Sequence, residues 1–210
     1  MAPMRLAILL SGRGSNFRAL HEAISRGDLD AEIVLVFSNR PDAAGIAAAR
    51  SLGLRSEILD HRSYSSRAAH EAALLEIVEK ADPDYLVLAG YMRLLSASFV
   101  ARYRNRILNI HPALLPAFPG VDAQAQALAH GVKVSGCTVH FVDESLDGGP
   151  ILVQRQVPVH DDDTVEALSE RILEQEHLGY VEALQKLGGS WRIDGRRVIF
   201  ENKKTPVRSR

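Results

Sequence analysis

The sequence predicts an open, doubly wound α/β fold: three layers, with helices on both faces of a mostly parallel sheet. Three observations carry that prediction. Short, continuously apolar runs recur through the first half of the chain, as in strands buried on both faces. Between them, apolar residues return at helical spacing. The runs end in serine, glycine, asparagine or proline, residues suited to strand-to-helix turns.

Residues 6–10 form the first such run, followed by Ser11-Gly12-Arg13-Gly14-Ser15-Asn16 and a helix that spaces Phe17, Leu20, Ala23 and Ile24. Residues 33–37 read as the second strand, turning through Ser38-Asn39-Arg40-Pro41-Asp42 into an alanine-rich helix that ends near Gly53. A short strand is expected at 55–59. Ser65 is expected to cap a helix running to about Lys80, stopped by Asp82-Pro83-Asp84. Residues 85–89 are the fourth strand, and a short connection leads to the fifth at 106–111.

The second half reads differently. A short helix is expected around 124–129. Residues 134–142 and 151–157 are joined by too short a turn for a crossover, so they are expected as antiparallel neighbours. Asp163-Thr164-Val165-Glu166 opens a long helix in the manner of a capping box, running to about Leu187. Residues 190–193 and 198–200 read as a hairpin about Asp194-Gly195. No linker divides the chain, so one domain is expected over residues 1–202, followed by a disordered basic tail at 203–210.

Composition narrows the function. Lys and Arg total 25 against 26 Asp and Glu, which gives no electrostatic footprint for nucleic acid or an anionic membrane. The single cysteine, Cys137, excludes an internal disulfide and fits a reducing compartment. No apolar run reaches membrane length. A cytoplasmic protein is expected. No His-x-x-x-His or Cys-x-x-Cys occurs, so no metal site is expected.

The chemistry concentrates where the fifth strand stops. Alternation along Arg106-Ile107-Leu108-Asn109-Ile110-His111-Pro112 puts Ile107, Asn109 and His111 on one face. Pro112 lacks an N–H and ends the strand. Ligands of open α/β sheets bind at the carboxyl ends of strands. A non-titrating amide beside an imidazole suits an oxyanion donor beside a proton shuttle, although an Asn and a His simply satisfied at a strand end read the same way. Asp147, in Asp147-Gly148-Gly149-Pro150, is either a turn aspartate or the carboxylate that orients His111; spacing alone does not decide.

Three further features stand out. Ser11 to Asn16 would present N–H groups at a helix start, which is an anion site or merely a tight turn; a third glycine is missing at Phe17, so the dinucleotide fingerprint is incomplete. Glu176 falls on the apolar stripe of the long helix with His177 beside it; a charge facing a core needs a partner or a ligand, so a functional polar pair is expected, the alternative being a helix that emerges to solvent there. Met92-Arg93-Leu94-Leu95, after the fourth strand, could wall a flat ring pocket or be plain core. Arg67 is either a solvated first-turn arginine or a ligand anchor.

Taken together, Ser11-Gly12-Arg13-Gly14-Ser15-Asn16, Leu88-Ala89-Gly90-Tyr91-Met92-Arg93, Asn109-Ile110-His111-Pro112-Ala113-Leu114-Leu115-Pro116 and Leu146-Asp147-Gly148-Gly149-Pro150 resemble the folate-dependent formyltransferases, in particular those acting on phosphoribosylglycinamide. The resemblance runs in order from about residue 4 to 187. It implies a mixed sheet of about seven strands with a Rossmann-like N-terminal half. It implies transfer of a formyl group from the co-substrate 10-formyltetrahydrofolate to the amine of glycinamide ribonucleotide. Carried over by position, Asn109, His111 and Asp147 match the family's catalytic trio. Gly14, Ser15 and Asn16 match its phosphate loop, and Glu176 a glutamate near the ribose. Arg67, Met92, Arg93, Leu94, Leu95 and Asn109 match its folate contacts. A monomer or weak homodimer is expected. Ala113 stands where the family has serine, and Val181 where it has proline. Formyltetrahydrofolate hydrolases, sugar-amine formyltransferases and a non-catalytic nucleotide-binding module are the competing readings.

Overall fold

The apolar runs become strands of one sheet. In the computed structural model, which describes residues 2–201, they are β1 (Met4–Leu10), β2 (Ala31–Ser38), β3 (Ser56–Ile58), β4 (Tyr85–Leu88), β5 (Ile107–His111), β6 (Val134–Phe141), β7 (Ile151–Pro158), β8 (Trp191–Asp194) and β9 (Arg197–Phe200). The helices are α1 (Ser15–Arg26), α2 (Ala44–Ser51), α3 (Arg67–Ala81), α4 (Ala97–Arg102), α5 (Ala123–Ala129) and α6 (Val165–Leu187). The stretch 203–210 lies outside the described residues.

The strand order is β3-β2-β1-β4-β5-β6-β7-β9-β8. β3, β2, β1, β4 and β5 are parallel, β6 is antiparallel to both β5 and β7, and β9 joins β7 through a single parallel pair. The order reverses direction between β1 and β4, which is the switch point where such sheets bind ligands. Alternation along the strands splits the core in two. Leu6, Ile8, Leu108 and Ile110 face α1, α2, α5 and α6, while Ala7, Leu9, Leu88 and Ile107 face α3 and α4.

Nine strands stand where about seven were expected. The difference is the β8–β9 hairpin, which joins the edge of β7 at Ile151 alone. The connection between β4 and β5 contains a helix that the sequence reading left out. At six residues α4 is too short to show a period, and Ser96 caps it by accepting from the Phe99 N–H at 3.3 Å. The cap of α3 is Ser66, not Ser65; its hydroxyl accepts from the Ala69 N–H at 3.1 Å. Thr164 caps α6 in the same way, at 3.2 Å from the Ala167 N–H.

Candidate active site

β5 delivers an amide and an imidazole to the carboxyl edge of the parallel strands. His111 is buried at 4% exposure and Asn109 is half-buried. The Nε2 of His111 lies 2.7 Å from the Phe118 carbonyl oxygen, which can only accept, so that nitrogen carries a hydrogen. Its Nδ1 faces the Asp147 carboxylate, 3.4 Å from Oδ2. Acceptors thus lie on both sides of the ring. Asp147 also accepts from the Gly120 N–H at 2.8 Å, which ties the 143–150 turn to the segment after β5.

A second histidine completes the cluster. The pairing of β5 with β6 sets His140 opposite Asn109. Its Nδ1 lies 2.9 Å from the Phe141 carbonyl oxygen and is therefore the protonated nitrogen. Its Nε2 is left as a lone pair, 3.3 Å from the Asn109 amide nitrogen and 3.8 Å from Asp147 Oδ1. Burial pushes the His140 pKa below the usual imidazole range, against the pull of the Phe141 carbonyl and Asp147. The neutral ring thus accepts from the Asn109 amide and fixes which way that amide points.

The 143–150 turn reaches this cluster from an unexpected direction. Because β6 runs antiparallel to β5, the turn leaves the sheet beyond Phe141, opposite Leu108, and not at the carboxyl edge of β5. Asp147 reaches His111 only because the turn comes back along the sheet. Asp147 sits at φ 49°, in the left-handed region that aspartate tolerates better than most residues.

The glycine turn between β1 and α1 is braced by backbone. Gly14 adopts φ 73°, and no side chain caps α1, so its first N–H groups are left for a ligand. The Gly45 N–H, at the start of α2, donates to the Gly12 carbonyl at 3.0 Å. A Cβ on Gly14 would lie 2.9 Å from Gly45 Cα. Glycine at 14 is therefore required by both conformation and contact.

Asn16, just inside α1, donates from Nδ2 to Glu176 Oε2 at 2.8 Å, while its own Oδ1 is buried without a partner. Burial pushes the Glu176 carboxyl up to about 7, and the Asn16 hydrogen bond opposes it. Glu176 and His177 do not come together as a pair. His177 is half-buried on the other side of the helix stripe, with Nε2 unpartnered.

A cavity of about 910 Å³ opens on the face that carries α3 and α4, lined among others by Arg67, Leu88, Arg93, Leu95, Asn109 and Asp147. Leu94 lines it too, whereas the Met92 side chain stands 76% exposed outside that lining. Arg67 Nε donates to Glu71 Oε1 at 3.0 Å, so the arginine is anchored within its own helix as well as facing the cavity. Among the described residues, no group of three or more His, Cys, Asp or Glu could hold a metal ion. Sequence reading offers His140 only as a substitute proton carrier, because it lies on a strand next to β5, and does not single out Gly45. Both depend on register or on contact between distant turns; the alternation of His140 with Cys137, Val139 and Phe141 was the only signal available.

The formyl transferase family model matches residues 4–184. The phosphoribosylglycinamide formyltransferase of Escherichia coli is 40% identical over 199 residues, which is 95% of this chain and 92% of that protein. The trifunctional purine biosynthetic protein adenosine-3 of Drosophila melanogaster is 45% identical over 185 residues, which is 87% of this chain but 14% of that protein, so the chain spans about one seventh of it. Among solved structures, glycinamide ribonucleotide transformylase 1 from Symbiobacterium toebii superposes with a TM-score of 0.93 at 46% identity, covering 96% of this chain and 95% of that one.

Proposed function

The chain belongs to the formyl transferase family, and from that premise we propose that it moves the formyl group of 10-formyltetrahydrofolate to the amine of glycinamide ribonucleotide in purine synthesis. The observation that carries the residue-level reading is the cluster at the end of β5, where His111 faces Asp147 at 3.4 Å and both Asn109 and Asp147 line the 910 Å³ cavity. Asn109, His111 and Asp147 are the proposed catalytic residues.

The cavity fits the co-substrate. Leu94 and Leu95 can cover a flat heteroaromatic ring, and Arg67 and Arg93 can meet an acidic tail; exposed Met92 adjoins them. Gly14, Ser15 and Asn16 offer N–H groups to the ribonucleotide phosphate. Glu176, held by Asn16 at 2.8 Å, is assigned to the ribose hydroxyls. The bound folate supplies the formyl group. The Asn109 amide donates to the formyl oxygen as negative charge develops there, and the His111 Nε2–H joins it on leaving the Phe118 carbonyl that it meets at 2.7 Å. Asp147 faces the His111 Nδ1 and takes up the proton that the attacking amine releases, and that proton passes to the folate nitrogen as its bond to the formyl carbon breaks. The reading assigns this work to one domain, residues 1–202. It assigns two small-molecule substrates and no metal, nucleic-acid or membrane partner, in the cytoplasm, as a monomer or weak homodimer.

Purified protein tests it directly. Deacylation of 10-formyltetrahydrofolate should require glycinamide ribonucleotide and yield the formylated ribonucleotide. Deacylation by water at the same rate without the ribonucleotide would make the chain a hydrolase, and no deacylation would leave only a binding module.

A further inference from the structure

Tyr91 and residues 93–96 line the cavity, and the whole stretch 91–96 belongs to no helix or strand, so its N–H groups have no ladder to join. Two buried side chains take them instead. The Met92 N–H donates to Ser11 Oγ at 2.9 Å, and the Ser96 N–H donates to Glu71 Oε1 at 3.0 Å. Ser11 is 4% exposed and Glu71 8%. Each anchor is itself held. The Ser11 hydroxyl donates to Asn39 Oδ1 at 2.5 Å, and its N–H donates to the Gly90 carbonyl at 3.0 Å. Glu71 accepts from Arg67 Nε at 3.0 Å.

We infer that Ser11 and Glu71 are positioning residues that string the cavity wall, residues 91–95, between two buried oxygens and so set the pocket that receives the formyl donor. The inference rests on the reading of this cavity as the folate site. The Ser11 hydroxyl has given its only hydrogen to Asn39 and one lone pair to Met92. It acts through the wall and not on a substrate. Ser11 also begins the glycine turn, so one residue ties the proposed phosphate loop to the proposed folate wall. Losing either anchor leaves a backbone N–H without its partner and frees one end of the wall.

The test compares S11A, E71A and E71Q with the wild type for binding of 10-formylfolate, a stable analogue of the donor, and of glycinamide ribonucleotide. S11A and E71A should each weaken 10-formylfolate on the order of tenfold, and E71A should leave the ribonucleotide within about twofold. E71Q keeps an acceptor for the Ser96 N–H and should restore most of the loss. Amide exchange should quicken at Met92 in S11A and at Ser96 in E71A. Equal loss of both ligands by E71A in step with Tm, or no loss at all, would overturn the inference. If S11A does not fold, the contrast between E71A and E71Q decides the matter from the other end of the wall. A wild-type protein that ignores 10-formylfolate would refute the folate reading, and amide exchange at Met92 and Ser96 would still decide whether the two anchors hold the wall.

Discussion

Asn16 and Glu176, 160 residues apart in the chain, meet at 2.8 Å, where the Asn16 amide donates to a carboxylate buried on the apolar stripe of α6. That hydrogen bond links the first helix to the last and explains how a glutamate can occupy a core position. It also places the carboxylate beside the glycine turn.

The titration of Glu176 should be visible in stability. An ordinary glutamate ionises near 4.5, and burial holds Glu176 protonated until about 7. Between those values the folded chain keeps a proton that the unfolded chain has lost, so folding stability should fall as pH rises from 4.5 to 7 and level off above. Glu176→Gln keeps an acceptor for Asn16 and removes the titration. In urea unfolding, the variant should gain on the wild type between pH 5 and pH 8 by about 3 kcal/mol. Parallel stability profiles would mean that Glu176 ionises normally.

Asp147→Asn should lower kcat by about 100-fold or more, with smaller effects on either KM, because it removes the charge that faces His111 while leaving an oxygen for the Gly120 N–H. Steady-state kinetics with both substrates measures it. An unchanged kcat would show that the carboxylate is structural.

His140→Leu removes the acceptor that aims the Asn109 amide, and should cost about 10- to 100-fold in kcat. Because His140 is expected to act through Asn109, the double variant with Asn109→Ala should be no slower than Asn109→Ala alone. Additive losses would give His140 a role of its own.

The two glycines of the β1–α1 turn should separate folding from binding. Gly14→Val places a Cβ against Gly45 Cα at a positive φ and should lower Tm by several degrees, equivalent to about 1–3 kcal/mol. A Cβ on Gly12 meets nothing within 4 Å. Gly12→Val should therefore leave Tm nearly unchanged and raise the KM for glycinamide ribonucleotide, since it adds a side chain to the open space of the turn proposed to hold the phosphate. An unchanged KM would move the phosphate elsewhere.

The sequence by itself determined the parallel half of the sheet, the turns that end its strands and the face shared by Asn109 and His111. These follow from local rules: buried strands read as apolar runs, glycine and proline punctuate them, and side chains alternate with a period of two. Capping hydroxyls also located the long helices to within a residue, as at Thr164. It did not reveal α4, whose six residues are too few to show a period. Only the tertiary structure decided that β6 sets His140 opposite Asn109, that the 143–150 turn comes back to His111, that Glu176 pairs with Asn16 and not with its neighbour His177, and that Ser11 and Glu71 hold the cavity wall. Each of these is a contact between segments distant in sequence, set by register and by the packing of whole elements. Such contacts leave no period in the chain, because the hydrogen bond forms only after the elements that carry its two ends have been brought together.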